Sequence, residues 1–173
     1  MKLLKAIFLL VPLLLWAGRA EYEVYYGWLS AGKIEVDFSP QKAVVRGKSG
    51  GLVGLFYRYR LYLVYDFSNE TASFMEEQEG QKRKYYDYGK ILQKKAWLPI
   101  VLKLLRETEV PEVLEVGNYR IVLQKEEKDS FVYLVEGSKK VKKVTLKGWR
   151  PGYFPREIEI QTDRGSLTLK LKR

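Results

Sequence analysis

The chain has 173 residues, with 31 lysines and arginines against 21 aspartates and glutamates, for a formal net charge of +10. It contains no histidine and no cysteine. This composition excludes Ser-His-Asp catalysis, thiol nucleophiles and nearly all zinc or copper sites, and it means that stability must come from packing without disulfides.

The first twenty residues have the layout of a secretory signal peptide. Two lysines precede an apolar run from Ala6 to Ala17, and Gly18–Ala20 is a small-x-small ending. This order predicts cleavage after Ala20. The run is shorter than the ~20 residues that a membrane-spanning helix needs, so we expect no transmembrane anchor after cleavage. The predicted organisation is a signal peptide over 1–20 and one β-rich domain over 21–173, exported to the periplasm.

The charge balance predicts anionic partners. Lys2, Lys5 and Arg19 lie in the signal segment, so removing these three charges from +10 leaves +7. In an exported protein we expect lipid headgroups or polyanionic envelope polymers, and no nucleic acid. Most of the lysines alternate with apolar residues, however, which is typical of the solvated face of a sheet.

Apolar and polar residues alternate with period two along most of the chain, and short turn signals separate the runs. Ile34, Val36 and Phe38 alternate with charged residues, as do Ile158 and Ile160. Runs joined so tightly must pair as antiparallel hairpins. We predict about ten or eleven strands, near 22–28, 31–38, 42–47, 57–67, 71–79, 81–88, 118–126, 129–137, 139–147, 156–162 and 165–172.

One segment has helical spacing instead. In AWLPIVLKLLRET, Trp97, Val101, Leu104, Leu105 and Thr108 recur on one stripe. This pattern predicts an unusually apolar helix over 97–108. The fold class is therefore mainly β: one curved antiparallel sheet, or half-barrel, whose single principal helix packs on the concave face or at its end.

The segment Gly47–Phe67, GKSGGLVGLFYRYRLYLVYDF, does not match a phosphate loop, because its Gly-Lys-Ser precedes the glycine pair and a strand follows. We interpret Gly50-Gly51 as a bend and Leu52–Phe56 as a short apolar cover over the open end of the sheet, either a mobile lid or a fixed plug.

Aromatic residues form rows at strand spacing. Tyr22, Tyr26 and Trp28 share a face with Val24, and a second row begins at Tyr57. Such rows favour a sheet core whose hydroxyls reach the rim, and they are compatible with ligand lining if the sheet encloses a cavity.

The remaining candidates for chemistry are paired carboxylates. They occur as Glu76-Glu77, Glu126-Glu127 and Glu157 with Glu159. The last pair lies opposite Ile158 and Ile160, as expected for a solvated strand face. We therefore predict no catalytic residue, no metal site, no cofactor and no enzymatic activity.

The order of these features resembles domain-of-unknown-function family 3108, which is found in exported bacterial proteins. The resemblance rests on an opening hairpin, a Ser-Gly-Leu segment followed by a long strand, an apolar helix and a closing hairpin. These stretches are Tyr22–Phe38, Ser49–Phe67, Leu98–Arg106 and Tyr153–Arg173. Pro99 follows Trp97-Leu98 where the family has an Asp-Pro pair. The resemblance implies a half-barrel related in shape to periplasmic lipoprotein carriers, and it implies no activity and no functional residue.

Two functions follow as hypotheses. The first is a non-enzymatic carrier of an apolar, lipid-like ligand held between sheet and helix. Its predicted lining is Leu52, Val53, Leu55, Phe56, Tyr57, Tyr59, Leu61, Trp97, Val101, Leu104 and Leu105. The second is an envelope assembly or scaffold protein that binds a protein partner through a basic face or an edge strand, for which the terminal segments are the candidates.

Overall fold

The computed structural model describes residues 17–172. Most of the predicted signal peptide lies outside these residues, and Gly18–Ala20, its predicted ending, form the start of the first strand. The twelve strands within the described part of the chain are β1 (Gly18–Tyr26), β2 (Leu29–Phe38), β3 (Lys42–Ser49), β4 (Tyr59–Asp66), β5 (Thr71–Gln78), β6 (Lys84–Tyr86), β7 (Val113–Val116), β8 (Tyr119–Glu127), β9 (Ser130–Glu136), β10 (Val141–Lys147), β11 (Glu157–Thr162) and β12 (Gly165–Leu171).

All twelve strands belong to one antiparallel sheet, as predicted, and the sheet is not closed into a barrel. Its order is β6-β5-β4-β3-β2-β1-β12-β11-β10-β9-β8-β7. The prediction that the terminal segments are edge strands is wrong. β1 and β12 pair with each other in the middle of the sheet, with Tyr22 opposite Leu171, and the short strands β6 and β7 form the two edges.

Among the residues that the structure describes, three helices accompany the sheet: α1 (Gly51–Gly54), α2 (Tyr88–Lys94) and α3 (Trp97–Arg106). The predicted apolar helix is present, but it ends at Arg106 instead of residue 108 because Glu107 is extended. Helix α2 was not predicted. It begins where Asp87 caps it, the Lys90 backbone N–H donating to the Asp87 carboxylate at 2.9 Å. Within residues 17–172, no helix is long and apolar enough to cross a membrane.

The sheet curves around α2 and α3, and seven of the ten residues of α3 are buried. Tyrosine hydroxyls tie the strands to this inner layer. The Tyr65 hydroxyl on β4 lies 3.1 Å from that of Tyr88 on α2, and the Tyr119 hydroxyl on β8 donates to the Leu92 carbonyl at 2.6 Å. One helix is thus hydrogen-bonded to both halves of the sheet.

The strand connections alternate between two ends of the molecule. We call one end the rim; it is formed by the strand-to-strand connections at 27–28, 50–58, 79–83, 117–118, 137–140 and 163–164. Helix α3 begins near the rim and runs to the opposite end, where the Arg106 guanidinium donates to the Pro40 carbonyl at 2.8 Å and the Lys103 ammonium pairs with Glu70 at 2.7 Å.

The aromatic row on β1 is only partly in the core. Tyr22 and Val24 are buried, whereas Tyr26 and Trp28 are exposed. The expectation that all four share a buried face fails because β1 ends at Tyr26. Trp28 lies in the turn after Gly27, whose φ is +60°. Both side chains therefore lie at the rim, beyond the buried part of the sheet.

Candidate functional site

A cavity of about 310 Å³ opens on the concave side of the sheet, near the rim. Its wall comes from β2, β3, β4 and the first residues of α3, and part of α1 lies over it. Most of the lining is apolar, with Val24, Ile34, Val53, Tyr57, Tyr59, Leu61, Trp97, Leu98 and Leu167 as its larger apolar and aromatic side chains.

Two glycines let the wall of this cavity pack closely. The concave face of β3 continues from buried Ala43 and Val45 to Gly47, where Leu61 and Ile34 occupy the space that a side chain would need. A Cβ atom at Gly47 would lie 2.9 Å from the Leu61 Cγ and 3.2 Å from the Ile34 Cγ1, so a larger residue would force the wall to shift. At Gly32, a Cβ would lie only 2.2 Å from the Lys48 carbonyl oxygen, so no side chain is accommodated there.

Helix α1 forms a short cover beside the cavity mouth. It is held by the Gly50 backbone N–H, which donates to the Ala31 carbonyl at 2.9 Å, and by a close approach of Gly51 to Ser30. Gly51 has a φ of +60°, a conformation that favours glycine. The predicted bend therefore lies where the chain turns from β3 into the cover.

The structure separates the predicted lining residues into three groups. Val53, Tyr57, Tyr59, Leu61 and Trp97 line the cavity. Val101, Leu104 and Leu105 are buried deeper in the core along α3, away from the lining. Leu52, Leu55 and Phe56 point outward from the cover and are exposed.

A buried carboxylate lies behind the cavity wall. Glu76 on β5 is 4% exposed, and its Oε2 accepts from the Tyr59 hydroxyl at 2.7 Å. Its Oε1 accepts a hydrogen bond from the Tyr86 hydroxyl. The Lys95 ammonium lies 3.5 Å from Oε2, and Tyr59 and Lys95 both face the cavity. The polar part of the site is thus one carboxylate with three donors.

These contacts determine the protonation of the cluster. Burial by itself raises the pKa of Glu76, but the hydrogen bonds from Tyr86 and Tyr59 and the charge of Lys95 outweigh it and leave that pKa below its ordinary value. Burial and the hydrogen bond to Glu76 raise the pKa of Tyr86 to about 12 and that of Tyr59 further. At neutral pH the carboxylate is charged and both tyrosines are neutral donors.

Sequence reasoning missed Glu76 and Lys95 as parts of this site. On β5, Glu76 shares a face with buried Phe74, a period-two signal that could have indicated burial. Met75 on the other face is equally apolar, so the alternation does not decide which face is dry. Lys95 follows α2, and its position beside Glu76 depends on a helix that was not predicted.

Comparison with known proteins adds one relative. No protein-family model matches the chain. It is similar to an uncharacterised protein of Aquifex aeolicus (strain VF5), with 28% identity over 151 residues that make up 87% of this chain and 81% of the relative. That relative carries no assigned activity, so the functional argument rests on the geometry of the cavity.

We expect Glu76→Gln to lower the free energy of unfolding near neutral pH by roughly 1–3 kcal/mol, because an amide cannot accept from both tyrosines and the lysine at once. The folded-state pKa of Glu76 lies below its ordinary 4.5, so the stabilisation is fully present above 4.5 and is lost as the pH falls through the folded value. The difference in unfolding free energy between Glu76→Gln and wild type should therefore become smaller as the pH falls below 4.5.

Urea unfolding followed by circular dichroism, near neutral pH and well below pH 4.5, measures this difference. Glu115→Gln, on the exposed edge strand β7, is the matched control and should unfold like wild type at both pH values. A Glu76→Gln penalty that is unchanged or larger in acid would contradict the assignment of a charged, hydrogen-bonded carboxylate.

Proposed function

We propose that the protein is a non-enzymatic component of the cell envelope, acting in the periplasm, that binds an apolar, lipid-like ligand in the concave face of its sheet. The observation that supports this proposal is the cavity of about 310 Å³ between α3, α1 and the sheet. Concave, mostly apolar sites with a few polar groups are typical of small-molecule binding. The proposed half-barrel family resemblance agrees with this use but assigns no ligand.

The size of the cavity indicates the ligand class. Its volume is near the lower end of the ~300–1,000 Å³ range of ligand pockets, which suits a single acyl chain or a part of one. Each buried methylene would contribute about 0.8 kcal/mol of transfer free energy. Because the mouth lies at the rim, the polar end of such a ligand can stay in water while the chain enters the cavity.

The polar cluster supports binding better than catalysis. Glu76 lies behind the lining, its two oxygens are occupied by Tyr59, Tyr86 and Lys95, and its lowered pKa is the reverse of what a general acid needs. We propose that the cluster holds the Tyr59 ring and the Lys95 ammonium in place as one wall of the cavity.

Gly47→Val should abolish or strongly weaken ligand uptake, because its side chain would clash with Leu61 and Ile34 and displace this part of the cavity wall. A fluorescent fatty acid whose emission rises in apolar surroundings measures uptake by titration. We expect wild type to bind it, Gly47→Ala to bind more weakly, and Gly47→Val to lose at least about tenfold in affinity, since each 1.4 kcal/mol is a factor of ten.

Val44→Leu enlarges a side chain on the other face of the same strand and serves as the matched control. It should bind like wild type, and thermal melting should show that all variants are folded. If wild type fails to take up the probe, or if Gly47→Val binds as tightly as wild type, the cavity is not the ligand site.

A basic groove on the convex face of the sheet favours a second candidate, the scaffold function. It is lined by five basic and two acidic residues: Lys33, Arg46, Lys48, Arg60, Arg83, Glu35 and Glu77. Within residues 17–172, Lys48 and Arg60 have no acidic partner within 4.0 Å, so their charges are available to an acidic segment of another protein.

Cross-linking in the periplasm would test this second candidate. A partner captured by wild type should be lost in Lys48→Glu with Arg60→Glu and retained in Lys142→Glu, which changes an exposed lysine on β10. If no partner recurs, or if the charge reversals in the groove leave the captured partner unchanged, the scaffold function is wrong.

A further inference from the structure

The rim carries a concentration of exposed apolar side chains. Among the described residues, ten large hydrophobic side chains are exposed, and six of them lie at the rim: Tyr26, Trp28, Leu52, Leu55, Phe56 and Tyr57. Trp28 is 82% exposed and Phe56 is 88% exposed. Soluble proteins rarely group such side chains on one surface without an interaction that covers them.

Tyr26 is the last residue of β1, and the other five residues come from two neighbouring connections. The β1–β2 connection brings Trp28, and the segment from β3 to β4 brings Leu52 to Tyr57. The two are joined by the hydrogen bond from the Gly50 N–H to the Ala31 carbonyl and by the close approach of Gly51 to Ser30. We call the six residues together the apolar tip. These contacts bring the two connections side by side at the rim, so the apolar tip is one region of the surface.

Basic residues surround the apolar tip. The connections that form the rim contain six basic residues, namely Arg58, Lys82, Arg83, Lys139, Lys140 and Arg164, and two acidic residues, Glu79 and Asp163. The connections at the opposite end have the reverse balance, with Lys128, Arg150 and Arg156 against Glu70, Glu107, Glu109, Glu112 and Asp129. The excess of basic residues is therefore found in the connections at the rim and not in those at the opposite end.

We propose that the rim docks onto a membrane surface that contains anionic phospholipids, with the apolar tip inserted at the level of the headgroups. Tryptophan, tyrosine and phenylalanine are the side chains that favour this interfacial region. Lysines and arginines around an inserted apolar group add electrostatic attraction to a negatively charged leaflet. A membrane fits better than a protein partner because the exposed apolar residues are flanked on both sides along the rim by connections that carry basic residues.

The docking surface adjoins the cavity mouth. Val53 and Tyr57, within the same short segment as Phe56, line the cavity. If the proposed lipid-like ligand is correct, docking would place the mouth at the bilayer surface, so that a chain could pass between bilayer and cavity with little exposure to water. This consequence rests on the proposed function, whereas docking itself depends only on the surface of the rim.

Vesicle co-sedimentation tests the docking. Wild type should bind vesicles of phosphatidylcholine mixed with phosphatidylglycerol, bind pure phosphatidylcholine vesicles weakly, and dissociate as salt is raised. Trp28→Asp combined with Phe56→Asp should lower the partition coefficient by at least about tenfold, because charges are disfavoured in the interface. Tyr153→Asp, at an exposed aromatic residue of the opposite end, should leave binding unchanged.

The cavity variant Gly47→Val separates docking from ligand binding, since it should still bind the vesicles. The proposal is overturned if wild type binds no vesicles, if the double variant binds as well as wild type, or if Tyr153→Asp weakens binding equally. It is also overturned if the apolar tip captures a protein partner while wild type ignores anionic vesicles. Melting curves of each variant show whether a loss reflects unfolding.

Discussion

The burial of helix α3 is the constraint on which the rest of the structure depends. A helix with seven buried residues in ten has no polar face wide enough to lie on a surface, so it must be covered on several sides. One flat sheet would cover one side only. The twelve-stranded sheet curves around the helix, and tyrosine hydroxyls from β4 and β8 contact α2, which precedes it. The open half-barrel is the solution that buries this helix within one domain.

The cavity lies at the end of the concave face that helix α3 does not fill. Toward the opposite end of the molecule, the interior is filled by side chains such as Phe38, Leu63 and Leu104, all nearly inaccessible to solvent. Toward the rim, α3 begins, and the facing strands carry Gly32, Gly47 and Ser49 instead. Helix α3 therefore fills the concave face toward the opposite end and leaves the cavity open toward the rim. The buried Glu76 cluster supports the wall of this cavity.

Much of the fold could be predicted because period-two alternation is strong on strands with one dry face. The predicted strands, the antiparallel pairing and the apolar helix are present, but the strand predicted over 81–88 covers only Lys84–Tyr86. Strand β7 was missed because its four residues are too few to show a clear alternation. Helix α2 was missed because its cap, Asp87, lies within the segment 81–88, for which a strand was predicted. The meeting of β1 with β12 is a long-range pairing that no local pattern encodes.

The candidate site was predictable only in part, for related reasons. Tyr59, Leu61 and Trp97 were indicated by their place on the predicted strand and helix, and they line the cavity. Val101 and Leu104 share the apolar stripe of Trp97, but they lie farther along the helix, in the filled core. The spacing of apolar residues shows which face of the helix is buried, and it does not show where along the helix the cavity lies. Glu76 is buried by three partners distant in sequence, so its neighbours alone could not identify it.

The most direct test of the account is a photo-crosslinking map with a fatty acid that carries a diazirine near the end of its chain. After irradiation and digestion, mass spectrometry locates the modified residues. A chain held in the cavity should modify Val53, Tyr59, Leu61 or Trp97, and excess unlabelled fatty acid should suppress these adducts. Adducts confined to the exposed residues Leu55 and Phe56, or spread equally to Tyr153 at the opposite end, would contradict a ligand bound inside the half-barrel.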